Sequence, residues 1–287
     1  MRILRLAGNP PRFKRSRQAV ALIDAIRYGE SDLAIWLLNH GVDADSNDHK
    51  RRTALWWAAT YCRTDVICEL LRRNVALPDD VLIGPVHAGD RKAVRILLQR
   101  GANVNCLGSA YSPVGHHHIK QVLLTMALGT AARDPKLEVI PIMLVRAGAR
   151  INRLILPTHA SGLENRTMLG MAAYFGLLKT VAAMIAAGAD VNLRDYAGRT
   201  ALFDAVCQGQ LAVAKMLLRA GVKTDARDHA GFTPLESLQR AQIPEMKAIA
   251  CRITAAGDIA QKRLNEWWQL TRARLIALLE RHSRRNK

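Results

Sequence analysis

Cysteine pairs, long apolar runs and aromatic residues are all scarce in this 287-residue chain. Its five cysteines are odd in number and contain no Cys-x-x-Cys pair, which argues against a disulfide framework and favours reduced thiols in the cytoplasm. No apolar stretch approaches the roughly 18 residues of a membrane span, and residues 1–17 lack the apolar run of a signal peptide. We therefore expect a soluble, intracellular, cytoplasmic protein with no membrane span.

Catalytic and cofactor motifs are also missing from the sequence. There is no Gly-rich phosphate loop, and Cys207 has no neighbouring histidine that could activate its thiol. The contiguous histidines 116–118 and the separate His159 lack the paired spacing of structural zinc ligands. We predict that the chain is not an enzyme and that it holds no metal and no cofactor.

Acidic residues are in the minority, and the net charge of +18 is unevenly placed. Residues 1–18 contain six basic residues and no acid, and residues 259–287 contain eight basic residues against Glu266 and Glu280. Most of the basic residues are arginine, whose planar fork of donors suits carboxylates and phosphates. The charge therefore predicts an acidic protein surface or a nucleic acid as partner, although a merely well-solvated surface is an alternative.

What the sequence does contain is an internal repeat, for which residues 193–225 serve as the template. Three of the four steps between equivalent leucines are 33 residues long, the leucines being Leu22, Leu55, Leu169, Leu202 and Leu235. A fixed period of this length indicates stacked units that share a continuous core. The third copy is six residues short, and Gly84-Pro85 predicts only a stub of its first helix. Insertions lie near residues 106–121 and 153–164.

Each part of the repeat has a local role. Asp195 and Gly198 have the residue types that favour a tight turn, and Thr200 is suited to cap the helix that follows. In the last copy, Thr233 and Glu236 have the spacing of a capping box, with proline at the first helical position. Gly221 ends the second helix of the template. The unit is therefore a turn followed by two helices.

This pattern resembles the ankyrin repeat, a β-turn finger followed by two antiparallel helices. The Thr-Pro-Leu-His signature of the family appears, without its histidine, in Thr53–Trp56, Thr167–Gly170, Thr200–Phe203 and Thr233–Glu236. The Gly-Ala-x-x-Asn ending appears at residues 101–105 and 188–192. The resemblance implies an all-α ankyrin-repeat solenoid of about seven helix-turn-helix repeats.

The resemblance also sets the predicted domain boundaries. The ankyrin-repeat domain spans residues 19–258, preceded by a basic amino-terminal arm of residues 1–18. Residues 259–287 form a basic amphipathic helix, on which Trp267, Leu275 and Leu278 lie within one apolar face. We expect that face to cap the last repeat.

In ankyrin repeats, the residues that follow the Ala-Ala of the first helix face a concave groove, and the finger tips line its rim. By this resemblance the groove residues are Arg27, Tyr28, Trp57, Thr60, Tyr61, Tyr174, Phe175 and Gln208, and the finger residues are Lys50, Arg51, Arg52 and Tyr196. Aromatic residues are only 5% of the chain, so their concentration at groove positions predicts a binding surface. The alternative is that the insertions cover these aromatics as a private core.

The function that follows is a protein-protein interaction module that binds a partner with an acidic surface through its groove and fingers. We expect the chain to act as a monomer. The alternative function is binding of a nucleic acid or a phosphate ligand through the basic fingers and termini.

Overall fold

The structure is a computed structural model that describes residues 15–110, 119–155, 166–240 and 258–285. Its contacts divide the chain into two compact units, residues 1–130 and residues 131–287. Within the described residues, twelve short helices follow one another in six consecutive pairs. The predicted all-α repeat fold is therefore confirmed.

The first unit is a stack of helix pairs. Its helices are α1 (Arg15–Tyr28), α2 (Ser31–Asn39), α3 (Ala54–Thr60), α4 (Thr64–Arg72), α5 (Ile83–Ala88) and α6 (Arg91–Gln99). The first helix of each pair packs on the first helix of the next, α1 on α3 and α3 on α5, while α2 packs on α4 and α4 on α6. Small residues allow the first helices of successive pairs to approach one another closely. Ala58 and Ala59 of α3 are buried, and Gly84 of α5 lies against the backbone of Thr60.

The second unit repeats this arrangement. Its elements are α7 (Leu123–Arg133), which contains the division between the units, a 3₁₀ turn (Pro135–Glu138), α8 (Val139–Arg146), α9 (Met168–Tyr174), α10 (Leu178–Ala186), α11 (Ala201–Cys207), α12 (Leu211–Arg219), α13 (Pro234–Arg240) and α14 (Asp258–Arg285). Helices α9, α11 and α13 form one layer, and α8, α10 and α12 form the other. Residues 241–257, which follow α13, lie outside the described part of the chain.

Threonine caps open three of the first helices, as predicted. Thr53 Oγ1 accepts the Trp56 amide at 3.1 Å, and Thr167 Oγ1 accepts the Gly170 amide at 2.8 Å. The capping box of α13 is also present, because Glu236 Oε2 accepts the Thr233 amide at 2.7 Å and Thr233 Oγ1 accepts the Glu236 amide at 3.2 Å.

The predicted cap at Thr200 is wrong. Its Oγ1 is buried and makes no hydrogen bond to the described residues. The Phe203 amide instead donates to the backbone carbonyl of Thr200 at 2.9 Å. The turn is tighter here, so the amide that a side-chain cap would satisfy already has a partner.

Two predicted helix boundaries also need correction. Helix α1 begins at Arg15, inside the stretch predicted to be a basic arm, of which residues 1–14 lie outside the described residues. The third repeat has a first helix of six residues, not a stub, and α5 ends at Gly89 with a left-handed φ of 76°. Pro85 is tolerated because it lies in the first turn, where an amide has no helical acceptor to lose. The shortening of this repeat therefore falls in its finger.

The two insertions begin and end with paired backbone. Strands β1 (Leu107–Ala110) and β2 (Ile119–Val122) form an antiparallel hairpin, with Leu107 opposite Val122 and Ala110 opposite Ile119. This hairpin departs from the all-helical prediction, because a long insertion satisfies its backbone polar groups most simply by pairing with itself.

The second insertion has a backbone bridge at its base, at the position where the finger of the second repeat also has one. Leu154 forms an isolated bridge with Thr167, just as Asn47 does with Thr53 in the second repeat. The tips of the two insertions, with His116–His118 and His159, lie outside the described residues.

Helix α14 packs on α12 and α13. Thr271, Leu275 and Leu279 are buried, Leu278 is half-buried, and the Arg272 guanidinium donates to the carbonyls of Leu238 and Gln239 at 3.2 and 2.6 Å. The side chains of Trp267 and Trp268 lie outside the described part of the structure. Among the described helices, none combines the length and the hydropathy needed to cross a bilayer.

Candidate interaction site

The finger of the second repeat is a tight turn organised by Asp48. One carboxylate oxygen, Oδ1, accepts the amides of Lys50 and Arg52 at 2.8 and 2.9 Å, and Oδ2 accepts the Trp57 indole N–H at 3.2 Å. Burial alone would raise the pKa of Asp48, but these hydrogen bonds outweigh it and lower that pKa. The finger is thereby fixed to α3, with its three cationic residues at the tip.

Arg51 adopts a left-handed backbone in this turn, with a φ of 60°. The equivalent positions of two later fingers are Gly198 and Gly231, with φ of 77° and 83°. A residue with a Cβ atom pays about 1 to 2 kcal/mol for this conformation, whereas glycine does not. The second finger therefore keeps a cation where the other two have the residue that the turn prefers.

Tryptophan and tyrosine rings cover the neighbouring face of α3. The Trp56 and Trp57 rings meet edge to face with centroids 5.0 Å apart, and the Trp57 and Tyr61 rings stack at 5.8 Å with an interplanar angle of 10°. Residues 57 and 61 meet because they are four apart, one helical turn. The Trp56 indole N–H donates to Asp80 at 3.0 Å, which fixes the first ring.

Two arginines lie against these rings. The guanidinium carbon of Arg27 is 5.0 Å from the centroid of Trp57, and that of Arg52 is 4.5 Å from Trp56 and 5.6 Å from Trp57. Arg27 makes one loose ion pair, with Asp24 at 3.4 Å. Within the described residues, Arg52 has no ion pair.

A pocket of about 210 Å³ lies beside these groups. Its lining combines apolar, aromatic and charged side chains, contributed by Val20, Ile23, Asp24, Arg27, Asp48, His49, Lys50, Arg52 and Trp57. We call Arg27, Tyr28, Arg52, Trp57 and Tyr61 the tryptophan surface.

The predicted groove residues of the first unit are not equally exposed. Tyr28 is 79% exposed and Tyr61 is 40% exposed, so both rings face solvent. Thr60 is half-buried, its hydroxyl donating to the Trp56 carbonyl at 2.8 Å and its backbone lying against Gly84.

The predicted residues of the second unit occupy equivalent places. Phe175 and Gln208 directly follow α9 and α11, as Tyr61 follows α3, and both are half-buried. The Tyr174 and Phe175 rings meet edge to face at 5.3 Å. Tyr196 is 62% exposed at its finger tip. Tyr28 and Tyr61 belong to the first unit and Phe175 to the second, so a single line of aromatics stays a prediction.

Arg166 and Asp204 form a buried ion pair that the sequence did not reveal. Their side chains are 12% and 5% exposed, and the Arg166 guanidinium also lies 4.6 Å from the Tyr174 ring. Burial, and then the charge of Arg199, lower the pKa of Arg166. The available signal was an acid at position 204, where the equivalent residues are Trp57 and Met171. The absence of a side chain at Gly170 provides the space for the Asp204 carboxylate, because a Cβ atom at position 170 would lie 2.5 Å from that carboxylate.

Two of the thiols are poorly suited to nucleophilic chemistry. Burial, reinforced by Asp90, raises the pKa of Cys62 to about 11, and burial raises the pKa of Cys106 to about 11. Both are therefore protonated at neutral pH, whereas a reactive cysteine needs its thiolate. Among the residues that the structure describes, no cluster of histidine, cysteine and acidic side chains could hold a metal ion.

Stacked helix pairs joined by fingers, with an exposed aromatic and basic face, define a helical-repeat protein. The family model described as "Ankyrin repeats (3 copies)" matches residues 2–80, 22–108 and 128–228, well over half of the chain. The chain belongs to the ankyrin-repeat family.

Solved structures agree on the fold. The crystal structure of the ankyrin repeat domain of Bcl-3, a unique member of the IkappaB protein family, matches this chain with a TM-score of 0.55 and 22% identity, covering 75% of this chain and 92% of that one. The human ASB11 ankyrin repeat domain has a TM-score of 0.53 and 18% identity, covering 75% and 90% of the two chains.

Proposed function

We propose that this chain binds a partner protein with an acidic surface, using the tryptophan surface and the adjacent finger residues Lys50 and Arg51. Ankyrin repeats are generally protein-protein interaction modules and typically non-enzymatic scaffolds. The observation that carries the proposal is the exposure of tyrosine and arginine around a fixed pair of tryptophans. Aromatic and arginine side chains supply much of the binding energy at protein interfaces.

The second unit supports a smaller part in binding. Tyr196 is exposed at its finger and adds to the proposed surface, whereas Tyr174 is half-buried under the Arg166 guanidinium. Phe175 and Gln208 present only part of their side chains. We propose that Tyr174, Phe175 and Gln208 contribute less to the binding free energy than Tyr28 and Tyr61 do. Thr60, half-buried at the end of α3 against Gly84 of α5, supports the surface more than it contacts the partner.

The test is capture of proteins from the source lysate by the full chain, with and without nuclease. Truncating a central anchor costs about 2 kcal/mol or more, so the double variant Tyr28→Ala/Tyr61→Ala should reduce capture about thirtyfold or more. Its melting temperature should stay close to that of the unchanged chain, since both rings are exposed. Leu270→Ala, which truncates an exposed side chain of α14, is the matched control and should capture normally.

A nucleic acid is the second candidate because Arg274, Arg281 and Arg284 are exposed along α14, in addition to the cationic finger. Binding to phosphates weakens steeply with salt, whereas aromatic anchoring does not. Capture that disappears on nuclease treatment, or that survives loss of both tyrosines, would contradict the protein-binding proposal.

The four described cysteines, Cys62, Cys68, Cys106 and Cys207, form no disulfide with one another, which supports our proposal of a reducing, cytoplasmic setting. We further propose that the chain acts as a monomer, which sedimentation of the purified chain would test.

A further inference from the structure

The pocket beside the tryptophan surface has a lining that is selective for one kind of ligand. Arg27, Lys50 and Arg52 contribute three positive charges, and Asp24 and Asp48 contribute two negative ones, which leaves one positive charge when His49 is neutral. A singly charged anion therefore matches the pocket better than a dianion, whose second charge would face the two aspartates.

The two arginines are positioned and incompletely neutralised. Both guanidinium carbons lie within 6 Å of the Trp57 ring, which restricts their planes and removes water from one face of each. The Asp24 partner of Arg27 is loosely placed and exposed. Paired donor forks of this kind bind a planar carboxylate through parallel hydrogen bonds.

The acid nearest to Trp57 does not compete for these forks. Both oxygens of Asp48 already accept hydrogen bonds, from the amides of Lys50 and Arg52 and from the Trp57 indole. Asp48 therefore holds the wall of the pocket in place through hydrogen bonds that involve neither the Arg27 nor the Arg52 guanidinium.

The remaining wall is apolar. Val20 is exposed, Ile23 is buried, and the face of the Trp57 ring completes this side. An inorganic anion makes no use of such a wall, whereas the methylene groups of a glutamate side chain would pack on it.

We propose that this pocket binds the side-chain carboxylate of a glutamate in the partner protein. This inference rests on the proposed function and gives the acidic partner a specific point of attachment. The carboxylate receives hydrogen bonds from Arg27 and Arg52, and its methylene groups contact Val20 and Trp57.

The experiment uses the full chain and a capped hexaglutamate peptide, with the capped hexaglutamine peptide as the neutral isostere. We expect saturable binding of the first, seen in the indole N–H resonances of the labelled chain, and none of the second. Arg27→Gln and Arg52→Gln should each weaken binding about tenfold or more, the worth of a charge-assisted hydrogen bond. Arg91→Gln, which removes an exposed charge from α6 of the same unit, is the matched control and should change affinity less than about twofold.

Arg52→Lys separates geometry from charge, because it keeps the cation and loses the planar fork. We expect it to bind more weakly than the unchanged chain and more tightly than Arg52→Gln, with the same melting temperature. If Arg91→Gln weakens binding as much as Arg52→Gln, attraction is general and the pocket is not the site. Tighter binding of inorganic phosphate or of a ten-residue oligothymidylate at Arg27 and Arg52 would replace the carboxylate site with a phosphate site.

Failure of this inference is distinguishable from failure of the proposed function. If the glutamate peptide does not bind but lysate capture still depends on Tyr28 and Tyr61, the interaction surface stands and the carboxylate pocket is rejected. If the peptide binds at the pocket but lysate capture is unchanged by loss of Tyr28 and Tyr61, the carboxylate pocket stands and the two tyrosines are rejected as anchors.

Discussion

Each unit places arginine against an aromatic ring, but the two clusters differ in what balances the charge. In the first unit, Arg52 lies over Trp56 with no ion pair among the described residues. In the second, Arg166 lies over Tyr174 and is paired with Asp204 inside the fold. The same contact therefore involves a cation without a carboxylate partner in one unit, which our proposal assigns to partner binding, and an ion pair between two repeats in the other. The carboxylate, and not the cation–π contact, decides between the two roles.

The largest expected effect comes from removing the balancing carboxylate. Asp204→Ala leaves Arg166 buried without its partner, which costs about 3 to 5 kcal/mol of stability. Asp24→Ala removes the exposed partner of Arg27 and should cost less than about 1 kcal/mol. Urea denaturation of the full chain measures both. If both variants lose less than about 1 kcal/mol of stability, Arg166 is as well hydrated as Arg27, and the proposed difference between the two units is wrong.

A smaller effect is expected from crowding the same carboxylate. Gly170→Ala puts a Cβ atom 2.5 Å from Asp204 Oδ2 and 2.9 Å from Thr167 Oγ1. Overpacking of this kind costs about 1 to 3 kcal/mol, which equals or exceeds the gain of about 1 kcal/mol that alanine brings to a helix, so we expect no net stabilisation.

Gly129 of α7 is the matched control, because a Cβ atom there meets nothing within 4 Å. Gly129→Ala should stabilise the chain by about 0.5 to 1 kcal/mol in the same urea denaturation. If Gly170→Ala stabilises the chain as Gly129→Ala does, the Asp204 side chain can move away from position 170 and its pairing with Arg166 is loose.

The smallest expected effect concerns the finger of the first unit. Arg51→Gly relieves the left-handed backbone and should raise stability by about 0.5 to 1 kcal/mol, while it weakens partner capture. Arg51→Ala removes the same charge and keeps the Cβ atom, so its stability should change by less than about 0.5 kcal/mol.

The reverse change tests the same argument in the second unit. At Gly231, a Cβ atom meets no neighbour within 4 Å but the φ is 83°, so Gly231→Ala should cost about 1 kcal/mol through the backbone alone. Thermal unfolding distinguishes the three variants. A destabilised Arg51→Gly would mean that the arginine side chain contributes more than its backbone costs.

The sequence by itself determined the repeat, the family and most of the helix starts. Thr53, Thr167 and Thr233 cap their helices, and the glycines that end the second helices adopt positive φ, because these requirements involve only a few neighbouring residues. The exposure of Tyr28 and Tyr61 also followed from repeat position. Local backbone demands recur with the period, so a periodic sequence reports them.

Only the tertiary structure decided which charges are balanced. Arg166 and Asp204 are 38 residues apart, and their pairing depends on the absence of a side chain at Gly170. The unused cap of Thr200 and the hairpin within the first insertion likewise depend on how the chain packs and pairs. Side chains from different repeats come into contact through the stacking of helices, and the distance between two such side chains is not encoded in any local sequence pattern. The physical reason is that burial and electrostatics depend on separations in space, which the sequence fixes only through the complete fold.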